Sequence, residues 1–308
     1  MVILAIISVA AFSQFDKLKA APAASKSSKA GTGAPAAKSE PELLLDQGVT
    51  AARFGRIQDA ANVFSSIMTR FPADPASARA AIELSRLYVN CQDYASARNV
   101  MANSINALPD GPARQQVVTE LNNLNGELVF SNKMGPDSIE YKVRPGDNLA
   151  KIGNKFKITG NFIRRINYLN SDRLNIGDKL KVVQGPFNVV VEKSRFRLTV
   201  YLGVQFVKEY RVGLGKENST PEGEYIVQSK LIDPVWDPPG PEYAASRAPD
   251  NPLGPRWIGF DKQYGIHGTI HPDSIGKMES RGCVRMLNEN VEEVYDLVVQ
   301  GSKVIVKP

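Results

Sequence analysis

The sequence predicts three folded pieces of different class in series: an N-terminal α-helical repeat, a small β-α-α-β unit, and a C-terminal mostly-β domain. Three observations predict this. Apolar residues recur at three- and four-residue spacing, without alternation, from about 41 to 130. A short unit from 139 to 184 passes from alternation to helical spacing and back. Short alternating runs separated by glycine-rich or polar turns then fill 187–308. At 308 residues, 43% apolar and 23% charged, the chain is long enough for two or three domains with cores of ordinary composition.

Ahead of these pieces, residues 2–12 form an apolar run. It is too short for a relaxed membrane span and fits the apolar part of a signal peptide, although the usual basic flank is missing. Residues 1–16 are therefore expected to be a signal peptide or a weak membrane anchor. The Ala/Lys/Ser/Pro/Gly-rich stretch that follows reads as a flexible linker over 17–40. Together they point to export, to the periplasm or cell wall. The net charge of +6 suits an anionic wall polymer, a membrane surface or plain solubility. No dense basic run with interleaved aromatics appears, so nucleic acid is not an expected partner.

In the helical region, Ile57, Ala60, Phe64 and Pro72 recur 37 residues later as Tyr94, Ala97, Met101 and Pro109. A small alanine lets two helices approach, a bulky residue fills the gap, and the proline ends the second helix. The pattern looks like a tetratricopeptide pair over 41–130, slightly longer than usual. Such repeats commonly present a surface to another protein; a plain helical spacer is the alternative. Cys91, near a helix end, reads as a small buried hydrophobe.

In the second piece, Tyr141 and Val143 alternate as a strand and Pro145-Gly146-Asp147 makes a turn. Leu149, Ile152 and Phe156, then Phe162, Ile163 and Ile166, take helical spacing, and Leu180 and Val182 close with a strand. With P-G-D at the first turn and N-I-G-D before the last strand, the unit resembles the LysM domain. The resemblance implies binding of N-acetylglucosamine-containing glycans, peptidoglycan among them. The implied groove lies between Gly146, Asp147, Asn148 and Leu149 on one side and Leu174, Asn175 and Ile176 on the other. Gly146 and Asp147 serve the turn in any case.

In the third piece, FNVVVE, RLTVYL, VKEYRVG and GEYIVQSK read as strands and KVIV as a closing strand. Asn290 with Glu293 reads as the capping pair of a helix whose face is Val291, Val294, Tyr295 and Val298. The chain has two cysteines and two histidines, and His267 and His271 both precede Cys283. His267 stands 16 residues before Cys283, room for a strand–loop–strand return that faces base and thiol. Gly282 allows close backbone approach beside the thiol, and N–H groups around Gly282 and Cys283 could cradle an oxyanion. Arg285 adds a positive charge that would favour thiolate or hold a carboxylate. The spacing also fits a packed cysteine with two loop histidines. A metal site is not expected, because Gly268 and Pro272 argue against a helix and no third ligand is evident.

The run HGT…P-x-SIG…S-x-GCVRM resembles the L,D-transpeptidase (YkuD-like) catalytic domain, as do Thr220-Pro221-Glu222-Gly223 and Pro249-Asp250-Asn251-Pro252-Leu253-Gly254. The resemblance spans 187–308. It implies Cys283 as nucleophile, His267 as its base, and the Gly268 carbonyl as third member of a triad. It further implies that Ser280 and Gly282 shape the loop and that Arg285 stabilises the site or contacts substrate. Arg281 stands where a histidine is often found. The implied reaction is attack of the Cys283 thiolate on the third residue of a peptidoglycan stem tetrapeptide, usually meso-diaminopimelate. D-Ala leaves, a thioester forms, and a neighbouring stem amine resolves it to a 3→3 cross-link. Water would make the enzyme an L,D-carboxypeptidase, and a protein lysine would attach a protein. No metal or organic cofactor is required. A non-catalytic wall-binding scaffold is the alternative of a different class.

Overall fold

The computed structural model describes residues 38–235 and 251–308. The expected signal or anchor segment, nearly all of the linker, and Pro249-Asp250 lie outside the described residues. The chain divides into two compact units between Glu120 and Leu121.

The first unit is helical: α1 (Glu40–Arg53), α2 (Ile57–Arg70), α3 (Pro75–Asn90), α4 (Tyr94–Ala107) and the first half of α5 (Pro112–Leu128). The 37-residue echo places Ile57 and Tyr94 as the first residues of α2 and α4. Ala60, Phe64, Ala97 and Met101 are all buried. A Cβ on Gly48 would lie 2.5 Å from the Phe64 ring, so this glycine lets α1 and α2 close on each other. The echo runs one step further than the sequence reading took it. Pro75 and Pro112, also 37 apart, open α3 and α5, where a missing N–H costs nothing. Asp74 and Asp93 cap α3 and α4 by accepting from Ala76 N and Ser96 N. Cys91 corrects its expectation: it is exposed, at the C-cap of α3, because the chain there turns outward through Gln92 at positive φ.

The second unit holds both remaining pieces. β1 (Ser138–Lys142) pairs antiparallel with β2 (Lys179–Val183), and α6 (Leu149–Phe156) and α7 (Gly160–Ile166) lie between them in sequence. A five-stranded sheet follows, built from β3 (Phe187–Glu192), β4 (Arg197–Leu202) and β5 (Gln205–Arg211) as an antiparallel meander. Alternation in β3 turns Phe187, Val189 and Val191 inward. After β6 (Leu214–Gly215), the GEYIVQSK run proves to be two strands, β7 (Gly223–Ile226) and β8 (Ser229–Ile232), in different sheets. Val227 and Gln228 make the crossing, their N–H groups donating to Ser302 O and Gly259 O.

β8 opens a second sheet with β9 (Arg256–Gly259), β10 (Gly265–His267) and β12 (Val284–Arg285), in the order β12-β10-β9-β8. β11 (Met278–Ser280) pairs with β6. α8 (Asn288–Leu297) buries Val291, Val294 and Leu297, and β13 (Lys303–Lys307) returns between β3 and β7. α8 starts two residues before the expected Asn290 cap. The chain leaves β12 extended through Leu287, and the Leu287 carbonyl already accepts from Asn290 N.

One continuous hydrophobic cluster runs through this unit. It joins Ile152, Ile158, Phe162 and Ile166 of the β-α-α-β piece to Phe187, Val189 and Val294 of the sheet-rich piece. Phe162 meets Phe187 edge-on at 5.2 Å, and Arg165 pairs with Asp296 of α8 at 3.4 Å. Between the two pieces, Gly185 N–H donates to Phe156 O at 2.9 Å. The last turns of α5 join the same cluster through Val129, and the Asn125 amide donates to the carbonyls of Phe206 and Val207.

Candidate active site

β10 and β12 run parallel, with Ile266 opposite Val284 and His267 opposite Arg285. Side chains alternate across a strand. Ile266 and Val284 therefore take one face together, where both are fully buried. Gly265, His267, Cys283 and Arg285 share the other. The return between His267 and Cys283 runs through a crossover that lends β11 to another sheet, and the register sets His267 opposite Arg285, two residues after Cys283.

His267 is buried at 4% exposure, with its ring stacked on Trp257 at 5.8 Å and 18°. Its Nδ1 lies 2.6 Å from the Gly268 carbonyl oxygen. A carbonyl only accepts, so Nδ1 carries the hydrogen and Nε2 keeps a lone pair. Burial pushes the imidazole down to about 4; the Gly268 and Leu253 carbonyls pull upward and the Arg285 charge pushes further down. At neutral pH the ring is an uncharged base of the tautomer a thiol requires.

The Cys283 thiol is also uncharged at rest. Burial raises it above the ordinary cysteine range, against the Gly265 N–H and the Arg285 charge. Its sulfur sits 3.9 Å from the Gln263 carbonyl oxygen. The His267 ring and the Cys283 thiol thus share a sheet face while the thiol is turned toward Gln263. Arg285 Nε is buried and has no hydrogen-bond partner among the described residues.

The loop before Cys283 is closed by Ser280. Its Oγ donates to Cys283 O at 2.7 Å and accepts from Gly282 N at 3.1 Å. The Gly282 N–H is therefore engaged within the loop, and an oxyanion there would compete with Ser280. Gly282 has φ +121°, and a Cβ on it would strike the Tyr264 ring at 2.3 Å. The Thr220-Pro221-Glu222-Gly223 turn packs behind. Thr220 Oγ1 accepts from Gly215 N, and buried Lys193 ties Asn218 O to Glu222. Sequence reasoning missed Trp257, Tyr264 and Gly265. A Cβ on Gly265 would lie 2.6 Å from the Trp257 indole, so the indole lies flat over bare backbone beside His267. Only the strand register could have linked Trp257 to the site. His271 is exposed in a loop and belongs to no such group.

The model of the L,D-transpeptidase (YkuD) catalytic domain matches residues 186–306, and that of the LysM domain matches 141–183. A putative L,D-transpeptidase YkuD of Bacillus licheniformis is 32% identical over 178 residues, 54% of this chain and 98% of the relative. The chain belongs to the L,D-transpeptidase family. YqjB of Bacillus subtilis, also a putative L,D-transpeptidase, is 39% identical over 125 residues, covering 38% of this chain and 69% of the relative.

In this L,D-transpeptidase family member the two expected glycan-binding loops of the LysM unit come together at the end of β1. Val143 N donates to Asp178 O, and Gly177 N donates to Val143 O, each at 2.9 Å. Several of the named side chains are occupied locally. Asp147 accepts from Tyr141 OH and Arg144 N, and Asn148 caps α6 through Lys151 N. Leu149 is in the core and Leu174 packs against it. Gly146, at φ +81° with open space around it, and Ile176, 71% exposed, are turned outward. Asn175 is exposed, its N–H bonded to Asp178.

Proposed function

We propose that the chain is an L,D-transpeptidase of peptidoglycan stem tetrapeptides that works through a thioester on Cys283. The observation that carries this is the shared face of β10 and β12. It supports the reading through the register that sets His267, its Nδ1 on the Gly268 carbonyl, opposite Arg285, two residues beyond Cys283. The thiol turns from Gln263 toward His267, gives its proton to Nε2 and attacks the carbonyl of the third stem residue. A carbon–sulfur bond forms and an oxyanion develops, to which the Cys283 N–H is the proposed donor. Collapse breaks the bond to D-Ala, whose nitrogen takes the proton from His267. A stem amine then attacks the thioester carbonyl: the amide bond forms, the carbon–sulfur bond breaks, and the amine's proton passes through His267 to the sulfur, restoring the thiol. The Gly268 carbonyl holds the transient imidazolium in place, and Arg285 holds a substrate carboxylate.

The LysM unit is proposed to hold the glycan strand by the Gly146 and Asn175-Ile176 loops. The helical unit is proposed as a tetratricopeptide-like dock for a protein of the wall-building machinery. These roles place the protein outside the cytoplasm, in the periplasm or wall. No cofactor enters any step.

The test is incubation with disaccharide-tetrapeptide and mass spectrometry of the products. D-Ala release with dimer formation is expected. Release without dimer would replace this reading by L,D-carboxypeptidation, and no release by a binding scaffold. Cys283→Ala should release nothing; turnover by that variant would remove the nucleophile assignment.

A further inference from the structure

We propose that Asn288 is a positioning residue that sets the tautomer and basicity of His267 through the Gly268–Thr269 peptide. The inference rests on the reading of His267 as base. The Gly268 carbonyl and the Thr269 N–H belong to one planar peptide group. The carbonyl meets His267 Nδ1 at 2.6 Å, and the N–H donates to Asn288 Oδ1 at 2.9 Å. A peptide that donates on one side is polarised and accepts more strongly on the other. The side-chain amide of Asn288, the Gly268–Thr269 peptide and the imidazole therefore form one hydrogen-bonded chain that ends at the lone pair on Nε2.

Two glycines make room for the clamp. A Cβ on Gly268 would lie 2.4 Å from Asn288 Oδ1, and one on Gly254 would lie 2.5 Å from it. Gly254 also has φ +63°, which favours glycine there. The amide oxygen thus fills a recess formed by two bare backbones, although solvent reaches the rest of the exposed Asn288 side chain. Asn288 opens α8, yet the N-cap residue Leu287 offers no side-chain cap. An asparagine at a helix start commonly serves its own helix; this one spends its oxygen on Thr269. The clamp stands five residues after Cys283 and three after Arg285, so one short segment carries the thiol, the cation and the group that orients the base.

The test uses the full chain with Cys91→Ser, because Cys91 is a second free thiol. Four forms are compared: the Cys91→Ser parent and the same chain with Asn288→Leu, Asn288→Asp or His267→Gln. Two quantities are read: imidazole nitrogen NMR, simplified by the chain's two histidines, and the rate of Cys283 alkylation by iodoacetamide. The parent should show His267 protonated on Nδ1. Asn288→Leu should weaken that Nδ1–H bond or mix the tautomers, and should slow alkylation about tenfold, the effect of one unit of base strength. Asn288→Asp keeps an acceptor oxygen in place and should preserve both. A folded Asn288→Leu form with the parental His267 spectrum overturns the clamp. If that form does not fold, Asn288→Asp decides, and loss of the Nδ1–H tautomer there overturns it. Alkylation unchanged by His267→Gln would instead remove His267 as base and leave the clamp to the spectrum alone.

Discussion

At His267 two effects of opposite sign meet. Burial and the Arg285 charge disfavour the imidazolium, while the Gly268 and Leu253 carbonyls favour it, and burial prevails at about 4 against an ordinary 6.5. In the unfolded chain this histidine takes a proton below 6.5; in the fold it refuses until about 4. The unfolded state therefore binds more protons across that window, and stability falls as pH drops through it. The loss attributable to this one group is about 3 kcal/mol by pH 4. Urea titrations at pH 7 and pH 4 should show it, and His267→Gln should lack that component. The motif around Cys283 and the 16-residue spacing made this pair legible in the sequence. Trp257, Tyr264 and Asn288 were not legible. Each reaches the site through a strand register, a positive-φ glycine or a peptide bonded from the far side, and none of these leaves a pattern in linear order. Cys91 was misread because an Ala-rich helical neighbourhood resembles a core until its face is known.

Helices and strands were easier to read than their ends. Apolar spacing located the helical region that holds α1 to α5 and the three runs that become β3, β4 and β5, because burial imposes those periods. The join of β7 and β8 was hidden, since a strand that changes sheets keeps alternating through the crossing. Caps drawn from distant residues were hidden too. Lys181 of β2, 4% exposed, donates its ammonium to the carbonyls of Leu128, Ser131 and Lys133, closing the C-terminal end of α5. Burial pushes it down to about 8, so it is still charged at pH 7. Lys181→Met should cost about 3 kcal/mol, because three carbonyls lose a charged donor in a buried place. Chemical denaturation monitored by far-ultraviolet circular dichroism measures this; a change below a few tenths of a kcal/mol would show that water replaces the ammonium.

For the whole molecule, the sequence suggested three pieces, whereas the described residues fall into two compact units. The β-α-α-β piece and the sheet-rich piece share one hydrophobic cluster across Phe162 and Phe187. Calorimetry should accordingly show the LysM unit and the catalytic piece melting in one transition, with the helices before Glu120 free to melt in another. A separate LysM transition would contradict the shared core, and Phe162→Ala should lower the common transition rather than split it. The strap at Gly185 and the Phe162–Phe187 contact also bear on how such an enzyme would travel. A catalytic head on a slack tether can visit several stems while its anchor stays put. Here anchor and head turn as one. On the proposed function, each cross-link would be followed by release or a step of the whole body along the strand, and the distance between successive cross-links would be set by the rigid frame rather than by the reach of a linker.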